Sequence, residues 1–238
     1  MSTLNAQSPI GQWVARRPET ARLFEELRLD YCCGGDRPLE QVCREQGLDC
    51  AQVAARLEQL AVPTTNQPAI DWTTASLSAL CDHIEATHHQ FLKTELPRLD
   101  ELILKVQSAH GAAHSELNDV RQVFARLRDE LEPHMMKEER ILFPAIRQLE
   151  QSGTTPRFPF GSVANPIRMM EHEHGVAGNA LKEVRRLTDD YTRPDDACAA
   201  YESLLNGLSE LERDLHRHIH KENSILFPRA IAIESNQS

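Results

Sequence analysis

Two stretches of the chain carry the same frame, 84 residues apart. His134-Met135-Met136-Lys137-Glu138 runs on to Ile141-Leu142-Phe143-Pro144, and His218-Ile219-His220-Lys221-Glu222 runs on to Ile225-Leu226-Phe227-Pro228. On a helix a histidine and a glutamate four apart share one face, about 6 Å apart along the axis. Two halves that both present such a pair inward build one polar centre between them. Four ionisable groups pointing into a core are costly unless something compensates them, and metal ions do so.

The rest of the sequence supplies the helices. Apolar residues recur at helical spacing, glycine is scarce, and no alternating run marks a strand. The expected class is all-α: a small N-terminal helical domain over residues 1–61, a linker over 62–70 and an antiparallel four-helix bundle over 71–238. In the first unit Pro18 and Pro38 are read at first helical positions and Asp49 as the cap of a third helix, with Asp30-Tyr31-Cys32-Cys33-Gly34-Gly35 as a turn. Four long patterns follow, from about Ser76 to Ala109 with a kink at Pro97, from His114 to Glu150, from Ile167 to Tyr191 and from Asp195 to Ile233. All their connections are short except the central one, Gln151 to Pro166. Two helical hairpins make the bundle.

The repeat also locates partners on the other two rods. His89 lies 45 residues before His134, and His174 lies 44 before His218. Each hairpin thus offers one histidine on its first helix and a His-x-x-x-Glu on its second. Four imidazoles and two carboxylates suit two metals. With both glutamates bridging, each metal has two nitrogens and two oxygens, and an oxo or hydroxo bridge leaves one position open. Such a set fits iron better than a closed tetrahedral zinc site. His88 and His172 compete for the places of His89 and His174. His216 and His220 are expected at the surface or in an outer hydrogen-bond layer, and His83 on a helix face. His110 and His114 have metal-like spacing, but Gly111 and two alanines place them near a connection, so they are read as incidental. Met135, Met136, Met169 and Met170 are read as core packing.

A net charge of −10 disfavours nucleic acid as a partner. No apolar run has the length of a membrane span, and the first residues lack the pattern of a secretory signal, so a cytoplasmic location is the default expectation. The six cysteines are therefore read as thiols.

At this level the bundle motif resembles hemerythrin-like di-iron domains. Together with Leu29-Asp30-Tyr31-Cys32-Cys33-Gly34-Gly35 it resembles, more narrowly, the repair-of-iron-centres family, di-iron proteins that restore iron-sulfur clusters damaged by nitric oxide or oxidants. The resemblance spans nearly the whole chain and puts the ligands on His89, His134, Glu138, His174, His218 and Glu222, the six reached by counting. In oxygen-carrying hemerythrins a second histidine stands one turn after the third-helix ligand; here that position is Gly178, which argues against simple oxygen transport.

The resemblance implies damaged iron-sulfur proteins as partners and nitric oxide or oxygen as small ligands. Iron donation is the leading expectation for the activity. Reduction of nitric oxide to nitrous oxide, and a sensing or scavenging module without turnover, are the rivals. Cys32 and Cys33, expected to be accessible in their glycine-flanked turn, are assigned a thiol role: a transient metal contact, mixed-disulfide exchange or nitric oxide chemistry. Cys43, Cys50, Cys81 and Cys198 show no partner pattern and are read as structural. The small first domain can pack against a second subunit's bundle, which makes a homodimer an open expectation.

Overall fold

The computed structural model describes residues 4–60, 70–154 and 156–237, so the expected linker lies outside it except for Ile70. Among the described residues the secondary structure is helical, with two isolated bridges, Pro9 with Pro38 and Phe158 with Gly161.

Among its described residues the first unit holds four short helices: α1 (Ile10–Arg16), α2 (Thr20–Glu26), α3 (Leu39–Glu45) and α4 (Cys50–Gln59). α1 is absent from the sequence reading, although Ile10, Trp13 and Val14 share one helical face and are buried. The two prolines act differently from expectation. Pro38 precedes α3 in extended conformation, and Pro18 stands two residues ahead of α2. Asp49 caps α4 as expected, accepting from the backbone N–H of Ala51 at 2.9 Å.

The bundle has four rods. The first joins α5 (Leu77–Ile84), a π turn (Glu85–His89) and α6 (Gln90–His110). The second joins α7 (Glu116–Lys137), a π turn (Glu138–Leu142) and α8 (Phe143–Gln151). The third is α9 (Ala164–Leu187) alone. The fourth joins α10 (Ala199–Lys221), a π turn (Glu222–Leu226) and α11 (Phe227–Gln237). Ser76 caps α5 by accepting from the N–H of Ala79. The first rod runs through Pro97 as one helix. α6 packs on α7 and α10, and α9 packs on the same two, so the rods close into an up-down-up-down ring. The α9–α10 connection is longer than expected. α9 stops at Leu187 because Asp189, Asp190 and Tyr191 all take left-handed backbone (φ 46°, 59° and 61°).

All three π turns fall at the metal-motif end of the bundle, and the sequence pattern shows none of them. Each inserts one residue into the helical ladder, a feature concentrated at functional sites. Pro144 and Pro228 follow directly, at the second position of α8 and α11. Their missing N–H is tolerated there because the regular ladder is already interrupted.

Apolar packing is divided along the bundle axis. One core, with Leu92, Leu96, Phe124, Leu127, Leu204 and Leu215, fills the length of α6, α7, α9 and α10. A second, with Ile84, Leu142, Phe143, Met170, Leu226 and Phe227, fills the other end. A polar layer lies between them. A third core lies in the first unit around Phe24, Tyr31 and Leu39, and it incorporates Ile219 of α10. The first unit therefore packs on its own bundle. Asn223 Nδ2 donates to the Cys32 carbonyl (3.1 Å), Lys182 pairs with Asp30 (2.8 Å) and Arg28 pairs with Asp190. Gly11 and Gly35 lie against Ser224, and a Cβ on Gly11 would come within 2.5 Å of its hydroxyl oxygen.

Candidate metal centre

The polar layer gathers all six residues singled out by the repeat. His89, His134, Glu138, His174, His218 and Glu222 are each at most 3% exposed. Their donor atoms form two groups of four: His89 with His218, and His134 with His174, each pair together with both Glu138 and Glu222. Within these groups the Nε2 atoms of His89 and His134 lie 3.3 and 3.4 Å from Glu138 Oε2. His174 Nε2 is 3.1 Å from Glu222 Oε2, and His218 Nε2 is 3.1 Å from Glu222 Oε1. The Nε2 atoms of His134 and His174 are 3.2 Å apart.

A second layer of contacts aims the rings. Nδ1 of His89 lies 2.8 Å from Glu139, that of His134 2.8 Å from Glu173, and that of His174 2.8 Å from the Asn223 side-chain oxygen. A proton on each Nδ1 satisfies these acceptors and leaves the Nε2 lone pairs facing inward, the tautomer a metal ligand needs. Lys93 and Lys137 hold Glu139 and Glu173 in turn. The recurrent phenylalanines form the walls: Phe143 stacks on His89 (centroids 5.7 Å apart) and Phe227 on His174 (6.0 Å). The repeated Leu-Phe-Pro thus has a structural reason in both halves.

Without a cation this layer is poorly compensated. Both carboxylate oxygens of Glu138, Oε2 of Glu222 and Nε2 of His89 are buried with no hydrogen-bond partner among the described residues. Burial and the adjacent Glu222 raise the Glu138 carboxyl well above the usual range. Burial also acts on Glu222, but the adjacent imidazoles of His218 and His174 outweigh it and hold that carboxyl well below. Burial and His174 push His134 down to about 4. Two buried carboxylates so close together cannot both ionise by themselves. Eight donor places from six residues, sharing two carboxylates, fit a pair of cations.

The competing histidines lie elsewhere. His88 is buried against Asp214 (2.9 Å) and Lys221 (2.9 Å), with its ring stacked on His218. His172 is exposed. His83 stacks on Trp72. His220 is buried edge-on to Tyr31, because the first unit covers that face of α10, so of its two expected places the surface one is corrected. Met135 and Met170 pack in the cores as expected, whereas Met136 and Met169 are exposed.

Cys32 and Cys33 lie beside the centre. Cys32 is 3% exposed, which corrects the expectation of an accessible pair, and Cys33 is half-buried. Their sulfurs are 3.8 Å apart, and Cys33 Sγ lies 3.4 Å from the His174 carbonyl oxygen. The hydrogen bond between the thiols raises Cys32 and lowers Cys33, so Cys33 is the more acidic thiol. Cys198 is exposed at the opposite end of the bundle, 3.2 Å from His110.

Comparison with known proteins agrees with this architecture. The hemerythrin HHE cation binding domain matches residues 82–230, and a domain of unknown function, DUF542, matches residues 6–61. The iron-sulfur cluster repair protein YtfE of Enterobacter sp. (strain 638) is 38% identical over 227 residues, covering 95% of this chain and 97% of the relative. The protein of the same name from Edwardsiella ictaluri is 38% identical over 223 residues (94% and 96%), and that of Escherichia coli O81 is 37% identical over 227 (95% and 97%). With a cation-binding domain on the bundle, a DUF542 unit ahead of it and relatives matched nearly end to end, this chain belongs to the hemerythrin-type iron-sulfur cluster repair family.

Proposed function

We propose that the chain holds two iron ions on His89, His134, Glu138, His174, His218 and Glu222 and uses them in the repair of damaged iron-sulfur clusters. The observation that carries this reading is the sharing of both glutamates by two groups of histidines in one buried layer. Ferrous iron supplies labile coordination, since it sits low in the affinity order of divalent metals on nitrogen and oxygen donors.

The protein's own groups set the terms of binding and release. Glu139, Glu173 and Asn223 keep three imidazoles in the donor tautomer. The apolar cores on either side exclude water from the layer. Asn223 ties His174 to the Cys32 carbonyl, and Cys33 touches the His174 backbone. The first unit is therefore coupled mechanically to one pair of donors. In this reading its displacement by a client protein loosens His174 first, and iron leaves toward the Cys32–Cys33 side.

The test is reconstitution of an oxidant-damaged cluster enzyme by the iron-loaded protein, with metal analysis and Mössbauer spectra of the donor before and after. Recovery of activity with matching loss of iron from the donor supports donation. Recovery no better than with free ferrous iron at equal concentration overturns it. Nitrous oxide formed over many turnovers from nitric oxide and a reductant favours the reductase reading instead. Two zinc ions with no iron in freshly prepared protein end the di-iron assignment.

A further inference from the structure

The end of the bundle remote from the paired carboxylates carries a second set of metal donors that this reading does not use. His110 closes α6, His114 lies in the α6–α7 turn, and Asp196 and Cys198 lie just ahead of α10. Donor atoms of His110, His114 and Asp196 all lie within 4.8 Å of one another. Cys198 Sγ stands outside this group of three but lies 3.2 Å from His110 Nε2, at its edge, and His114 Nε2 is 2.9 Å from Asp196 Oδ1. His89 and His110 are 21 residues apart on the first rod, so the two clusters stand about 30 Å apart.

Three features separate this cluster from a chance meeting of surface side chains. Glu116 lies 3.0 Å from His114 Nδ1, so a carboxylate orients the imidazole from behind, as at metal-bound histidines. With that proton committed to Glu116, Nε2 of neutral His114 would turn a lone pair on the Asp196 carboxylate. The contact is favourable only with a proton or a metal ion between them. Finally, both imidazoles pack against the ring of Tyr201, each at 5.4 Å, which restricts their orientation.

We propose that His110, His114, Asp196 and Cys198 form a metal site for a borderline divalent cation, zinc by preference. Two imidazoles, one carboxylate and one thiolate make a tetrahedral set that suits zinc and disfavours magnesium or calcium. The ion takes the place of the proton between His114 and Asp196 and joins the α6–α7 turn to the α9–α10 connection. It therefore fixes the end of the bundle where Asp189, Asp190 and Tyr191 hold left-handed backbone.

Cobalt(II) added to the iron-loaded protein reports on this site, because a thiolate–cobalt charge-transfer band cannot arise from the six sulfur-free residues of the buried layer. The expected result is one equivalent of cobalt with that band, displaced by one equivalent of zinc, in wild type and in the C32S/C33S variant. C198S should lose the band while keeping its iron. Glu116→Gln should weaken cobalt about 10–100-fold. Absence of the band in folded, iron-loaded protein overturns the proposal, as does a band that survives in C198S.

Discussion

The Cys33 sulfur occupies the space that a side chain on Gly178 would need: a Cβ built on the glycine lies 3.1 Å from Sγ. Position 178 lies one helical turn after His174. Here the space goes to a thiol of the first unit. Gly178→Ala gains about 1 kcal/mol of helix propensity and loses a similar amount to crowding, at the low end of the usual 1–3 kcal/mol, because half-buried Cys33 can turn away. The expected outcome is a melting temperature within a few degrees of wild type and a clearly faster alkylation of Cys33. Gly178→Leu leaves no such escape and should undock the Cys32–Cys33 turn. Unchanged thiol reactivity in both variants would show that the contact does not hold the turn.

Asn223 serves two masters, accepting from His174 Nδ1 and donating to the Cys32 carbonyl. Asn223→Ala should weaken metal retention about 10–100-fold, as loss of an outer-layer partner does, and should expose Cys32 as well. A chelator challenge followed by mass-spectrometric thiol labelling reads both effects. Glu139→Gln, which contacts His89 away from the first unit, should affect metal retention and leave Cys32 protected. Equal labelling of Cys32 in the two variants would contradict the mechanical coupling.

Phe143 and Phe227 are fully buried and stack on His89 and His174. Replacing either with alanine should cost about 3–5 kcal/mol. Denaturant melts of chelator-stripped protein, in which bound metal cannot mask the loss, measure it. A cost under about 1 kcal/mol would mean that the second core reorganises around the gap.

Asp30 is half-buried, and desolvation alone would raise its carboxyl, yet Lys182 and the Cys33 amide hold it well below the usual range. A depressed folded value stabilises the protein above the unfolded pKa of about 3.9, and that contribution fades as pH falls through the folded value. Wild type should therefore exceed Asp30→Asn in stability by a constant margin at neutral pH, and the margin should narrow below about pH 4. A margin that widens in acid would reverse the assigned sign.

The rods and the six inward residues were legible because duplication repeats both the periodicity and the chemistry. The π turns were not. One inserted residue hardly alters an apolar pattern, and only the proline after each repeated phenylalanine hints at them. Docking of the first unit was equally hidden: a Cys-Cys-Gly-Gly turn specifies backbone shape but not what covers it, so Cys32 and His220 read as more exposed than they are. α1 was missed although Ile10, Trp13 and Val14 carry its signal. Cys198 looked partnerless because His110 is 88 residues away and only the closure of the bundle brings the two loops together.

The donor groups also cross the duplication. His89 shares a group with His218 and His134 with His174, so neither half of the sequence holds a complete set. A solitary hairpin of this type would acquire metal only by meeting its own copy, at a rate that depends on concentration. Tethering the copies makes that encounter a property of a single molecule and releases the halves from identity. Glu139 and Asn223 occupy matching places and support matching histidines, but only Asn223 also reaches the first unit. The asymmetry of the fused chain gives otherwise equivalent donor groups different surroundings.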